Sequence, residues 1–177
     1  MDHKASTLEQ LSKHGAAISQ KNALGGFDGF VDRITSVVNK RFGQGDKFER
    51  IETIEIFGSR VLEAAGKSTN FELYVNFEKI GGNGPIMANA LLNAGANTRY
   101  VGALGDQSVH PVFSEFAKRT NAVSVVDPGV THALEFADGK VMLGKMATLE
   151  DLTYEAILRH VGEGEFFDLL SRQDLIS

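Results

Sequence analysis

Cysteine is absent from the 177-residue sequence, which excludes disulfides and thiolate metal sites and fits a reducing compartment. Histidine does not fill that gap: His3, His14, His110, His132 and His160 are scattered, with no pair at ligand spacing. His132 and Glu135 fall on opposite faces of any strand, because their spacing is odd. No apolar run approaches the roughly 20 residues a membrane helix needs. The N-terminus lacks the basic stretch followed by an apolar one that marks a secretory signal. Acids and bases are interspersed around a net charge of −5, so no basic face is offered to nucleic acid or anionic lipid. No Gly-x-Ser-x-Gly elbow occurs, which removes that route to a nucleophilic serine. These absences lead us to expect a cytoplasmic protein with no nucleic-acid or membrane partner.

What is present centres on Gly81–Asp106, GGNGPIMANALLNAGANTRYVGALGD. Gly81-Gly82-Asn83-Gly84 follows an extended run, and Pro85 suits the first turn of a helix, where its missing N–H has no partner to lose. Met87, Leu91 and Leu92 supply an apolar face, with Ala88, Ala90 and Ala94 letting a neighbour approach. Gly95 is placed to stop the helix in a left-handed conformation. Tyr100–Leu104 reads as a buried strand, closed by Gly105-Asp106. Strand, glycine turn, helix, strand and acid is the order of a ligand site on an α/β scaffold.

Around this block, Ser6 and Glu9 form a capping box that predicts an amphipathic helix over 6–20. Residues 23–34 read as a strand interrupted by glycines, carrying Asp28 and Asp32. A short extended piece at 35–38 and a polar loop follow. Apolar spacing predicts a helix over 51–65 with Gly66 as its stop, and alternation predicts a half-buried strand over 71–77. A helix is expected over 112–119 and a strand over 123–126, ended by Asp127-Pro128-Gly129. Thr131–Ala137 and Lys140–Lys145 read as a hairpin about an Asp138-Gly139 turn. Thr148 is expected to cap a helix running to Val161, with Asp151 as box partner and Gly162 as its end. A short helical piece is expected at 166–170. Asp174–Ser177 reads as the opening of a buried strand, so the sequence is expected to be a fragment.

Two functional patterns compete. Gly82–Met87 is a near miss of G-x-G-x-x-G with Asp106 about twenty residues on, which would suit a nicotinamide-dependent oxidoreductase. Its third glycine is Met87, however, and no Gly-Lys-Ser/Thr follows the Gly81–Gly84 turn as a P-loop requires. The other pattern is a polar-ligand site. Carboxylates at Asp28 and Asp32 accept hydrogen bonds from hydroxyls, and the glycines let backbone N–H groups come close. That suits a polyhydroxylated molecule such as a sugar. Against both stands a purely structural use, with glycines for turns and acids for solubility.

These residues resemble the ribokinase-like (PfkB) carbohydrate kinases. Gly81 and Gly82 match the paired glycines of the family's first signature, Ala88 its small position, and Gly95, Gly105 and Asp106 its later spacings. Ile86 stands where the family has asparagine, with Asn83 and Asn89 nearby. Gly26–Ile34 resembles the opening strand, whose aspartate binds sugar hydroxyls; Asp32 is the better match and Asp28 the second. The resemblance implies a three-layer α/β/α sandwich with a small β-sheet lid, its strands at about 34–40, 71–80 and 131–146. It implies a kinase moving the γ-phosphoryl of ATP, with Mg²⁺, to a sugar hydroxyl. The sugar contacts would be Asp28, Asp32, Gly81, Gly82, Asn83 and Glu135, and a homodimer would form through the lid. The family's Gly-Ala-Gly-Asp, which carries the catalytic base, does not occur here. The resemblance therefore implies the sugar-binding half, inactive by itself, with no catalytic residue. A non-catalytic sugar-binding or interaction domain is the remaining alternative.

Overall fold

A computed structural model describes residues 3–43 and 47–177. The chain divides into two units, crossing between them after Phe30, Lys79, Gly129 and Lys145.

The first unit comprises the residues through Phe30, then Ile80–Gly129 and Met146–Ser177. Its four strands are β1 (Asn22–Gly25), β5 (Asn97–Gly102), β6 (Val123–Ser124) and β9 (Leu175–Ile176). They form a parallel sheet in the order β6-β5-β1-β9. Parallel sheets need helices on both faces, because every crossover returns over one of them. Successive residues of β5 serve the two faces in turn. Tyr100 meets Phe116 of α4 (Ser114–Thr120) edge-on at 5.0 Å. On the opposite face Val101 joins Leu24, Val125, Ala156 and Ile157 of α5 (Tyr154–Val161) and Phe166 and Leu169 of α6 (Glu163–Ser171) in one apolar cluster. The first face is also covered by α3 (Asn83–Ala94), whose Ala88 is fully buried. Helices, sheet, helices: the expected three-layer sandwich is present.

Local chemistry places most boundaries. Gly95 ends α3 in the left-handed conformation, φ 100°. Thr153 caps α5 by accepting from the N–H of Ala156, whereas Thr148 sits in a 3-10 turn (Ala147–Asp151) and donates to the carbonyl of Pro128. The expected cap at Thr148 is thus displaced by five residues, since its hydroxyl is committed elsewhere. At the N-terminus α1 (His3–His14) starts before Ser6 and gives way to a 3-10 segment, Gly15–Gln20. The expected cap at Ser6 therefore lies inside the helix. β9 pairs with β1, but Leu175 and Ile176 are 45% and 54% exposed, correcting the reading of a buried strand.

The second unit, Val31–Lys79 and Val130–Lys145, holds a five-stranded sheet. Its strands are β2 (Phe30–Arg41), β3 (Phe48–Arg50), β4 (Glu72–Gly81), β7 (Gly129–Phe136) and β8 (Gly139–Lys145). The strands expected at 34–40, 71–80 and 131–146 all appear, and β3 is added. Part of the loop read between 39 and 50, residues 44–46, lies outside the described residues. One helix, α2 (Ile54–Leu62), places Phe57 between Phe71 at 5.0 Å and Phe136 at 5.4 Å, over Val37, Ile51 and Leu134. The hairpin turn differs from the expected one. Phe136 pairs with Gly139, so Ala137 and Asp138 form the turn rather than Asp138 and Gly139. The carboxylate of Asp138 accepts from the N–H of Ile54 at 2.9 Å, and Ala137 N–H donates to Glu52. The start of α2 thereby holds the turn one residue away from where Asp-Gly chemistry alone would put it.

Candidate functional site

Ligands of parallel α/β sheets bind beyond the carboxyl ends of the strands. β1 ends at Gly25, and the next four residues form a turn that brings Asp28 to the head of α3. The first N–H groups of a helix have no partner within it and carry the positive end of its dipole. A side chain at the N-cap usually answers them, but here the N-cap is Gly82, at φ 93°. Asp28 answers instead. Its Oδ2 accepts from Asn83 N–H at 2.9 Å and its Oδ1 from Gly84 N–H at 2.7 Å. The glycines leave room for this carboxylate: a Cβ on Gly82 would lie 2.9 Å from Asp28 Oδ2, and one on Gly84 2.7 Å from Oδ1.

Beneath the turn, the hydroxyl of fully buried Tyr100 donates to the backbone carbonyl of Asp28. Burial, and then the neighbouring charge of Asp28, raise the phenol well above its ordinary range, so it remains a neutral donor. Sequence reasoning did not single out Tyr100. The signal available to it was weak: an aromatic residue in a strand flanked by glycine-rich segments.

The other expected residues are placed as follows. Gly81 is buried at the end of β4, and Asn83 is exposed at the start of α3. Ile86, where the resemblance calls for asparagine, is 57% exposed. In the second unit, Asp32 is half-buried on β2. Glu135 is half-buried on β7 and ion-paired at 2.9 Å with Lys140, its cross-strand partner.

The arrangement removes the dinucleotide reading of Gly82–Met87. A pyrophosphate at a helix head needs open N–H donors and a positive field. Here the N–H groups of Asn83 and Gly84 already bond to a negative carboxylate. At the ends of β5 and β6, Asp106 N–H is accepted by Asp127, beside a cavity of about 210 Å³ that also touches Thr148 and Asp151. Among the described residues no group of three or more His, Asp or Glu side chains is arranged to hold a metal. A cavity of about 550 Å³ lies at the opposite end of the sheet, between the starts of β1 and β5 and α6.

The three-layer sandwich with its parallel sheet is the fold of the ribokinase-like carbohydrate kinases. A solved structure of a carbohydrate kinase from Agrobacterium tumefaciens superposes with a TM-score of 0.53 at 16% identity, over 88% of this chain and 44% of that one. The crystal structure of Sa239 does so with a TM-score of 0.52 at 15% identity and the same coverage. The family profile for prokaryotic ketohexokinase matches residues 2–176, and the chain belongs to that family. A ketohexokinase of Haloferax volcanii is 33% identical over 153 residues, 85% of this chain. The chain spans 40% of that relative's length.

Proposed function

We propose that the whole protein phosphorylates a hydroxyl of a ketohexose or closely related sugar, and that this chain carries the sugar-binding half. Membership of the prokaryotic ketohexokinase family is the observation that carries the reading. The glycine turn at the carboxyl end of a parallel sheet supports it, because small polar ligands bind there in such folds. In this reading Asp32 accepts a sugar hydroxyl, with Asp28 as the second acceptor. Gly81, Gly82 and Asn83 approach the ligand through backbone and amide groups, and Glu135 contributes a further carboxylate. The β-sheet unit is the lid. Its exposed apolar row, Leu73, Val75 and Phe77 on β4, is the surface we assign to a second copy of the chain.

The phosphoryl donor in this reading is ATP with Mg²⁺. In this reading the ATP site lies mostly outside this chain, and the head of α3 serves Asp28. ATP would supply the transferred phosphoryl group. No described helix is long and apolar enough to cross a membrane. We take the protein to act in the cytoplasm, on a small molecule.

The test is an ADP-release assay on the full-length protein with ATP, Mg²⁺ and a panel of ketohexoses, aldohexoses, pentoses and nucleosides. Sugar-dependent turnover, highest with a ketohexose, is expected. Sugar binding with no turnover would instead establish a binding domain.

A further inference from the structure

Tyr100 sits in a socket made by glycines from three separate segments. A Cβ on Gly25 would lie 3.1 Å from its ring, one on Gly102 2.9 Å, and one on Gly84 2.5 Å from its hydroxyl. The ring also lies edge-on to Phe116. Three positions thus lack side chains around one aromatic ring, and the ring's only polar atom is bonded to the carbonyl of Asp28. A core ring with no further duty would not need its hydroxyl there; phenylalanine would fill the same space and spare the desolvation of a polar group.

We propose that Tyr100 is a positioning residue for the sugar site. Its hydroxyl fixes the carbonyl of Asp28, which keeps the carboxylate of the same residue on the N–H groups of Asn83 and Gly84. The Gly81–Asn83 turn then holds the shape in which it meets the ligand. Tyr100 acts through Asp28 and touches no reacting atom. The consequence for sugar affinity rests on the function proposed above, whereas the link from Tyr100 to the head of α3 does not.

The experiment is Tyr100→Phe in the full-length protein, which keeps the ring and deletes one donor. With ATP and the preferred sugar, the sugar KM is expected to rise about tenfold, the scale of one lost hydrogen bond. The kcat and the KM for ATP should stay within about twofold. Asp28→Asn should raise the sugar KM in the same direction. The double variant should be little worse than Asp28→Asn alone, because Tyr100 acts through Asp28. A purely structural tyrosine predicts lower thermal stability with the sugar KM unchanged, and that result would overturn the proposal. Amide exchange at Asn83 and Gly84 supplies a readout independent of substrate. Faster exchange in Tyr100→Phe supports the link even if no sugar proves to be phosphorylated, and unaltered exchange at both amides refutes it.

Discussion

Asp28 and Gly84 stand 56 positions apart in the chain, yet Oδ1 of the one accepts the backbone N–H of the other at 2.7 Å. A helix whose N-cap has no side chain is capped by a residue from a distant turn. Any group larger than hydrogen at position 84 must displace that carboxylate, the Tyr100 hydroxyl or the carbonyl of Gly26. Gly84→Ala should therefore destabilise the fold by about 1–3 kcal/mol, the cost of overpacking a tight site. Gly58, in α2, has open space where its Cβ would be. Gly58→Ala should stabilise by about 0.5–1 kcal/mol through the backbone entropy of the unfolded chain. Urea melts of the two variants against the parent would decide; equal effects would show that the packing around Gly84 is looser than described.

Alkaline stability should report on Tyr100. Its folded pKa is raised by burial and by Asp28, so the unfolded chain ionises first as pH rises. The stabilisation is fully present below the unfolded value of about 10 and declines above it. Tyr100→Phe should lose part of that decline. Urea midpoints measured between about pH 9 and pH 11 should fall less steeply in the variant than in the parent. Parallel slopes would mean that the phenol ionises freely in the folded state.

Acid should loosen the other end of the sheet. Asp174 accepts from Lys21 Nζ at 2.7 Å and from the N–H of Asn22 at 2.9 Å, joining the start of β1 to the residue before β9. The Lys21 bond first, and then the Asn22 N–H, hold its carboxyl below the usual range. A depressed folded pKa stabilises above the unfolded value, about 3.9, and that contribution is lost as pH falls further through the folded value. Asp174→Asn should be less stable than the parent at neutral pH, the gap narrowing below about pH 4. A gap that persists undiminished in acid would assign the effect to shape rather than charge.

Sugar recognition is tested at Asp32. In the full-length protein Asp32→Ala should raise the sugar KM by about tenfold or more, with the KM for ATP unchanged, because a hydroxyl acceptor is removed from the sugar alone. An unchanged sugar KM would remove Asp32 from the site.

Much of the fold is legible along the chain because it depends on near neighbours. Gly95 ends α3 because a left-handed residue is needed there, and burial alternates over residues 129–133 of β7 because strand side chains alternate. Boundaries failed where a side chain had a distant claim on it. Thr148 was drawn to Pro128 and away from capping, and Asp138 was drawn to Ile54, which moved the hairpin turn by one residue. The candidate site was legible only as a list of polar residues and glycines. The sequence offers Asp28 as a ligand acceptor; its second task, capping α3 through Asn83 and Gly84, depends on contacts over 55 and 56 positions that no local pattern displays.

The sequence by itself determined the alternation of elements, the glycine turn ahead of α3 and the likeness to carbohydrate kinases. Each of these depends on residue types at short, regular spacings. Only the tertiary structure decided what those glycines accommodate. They make room for the carboxylate of Asp28 and the hydroxyl of Tyr100, two residues 72 positions apart and joined by a hydrogen bond. No local spacing encodes that contact, because it forms only when adjacent parallel strands bring β1, β5 and the head of α3 together.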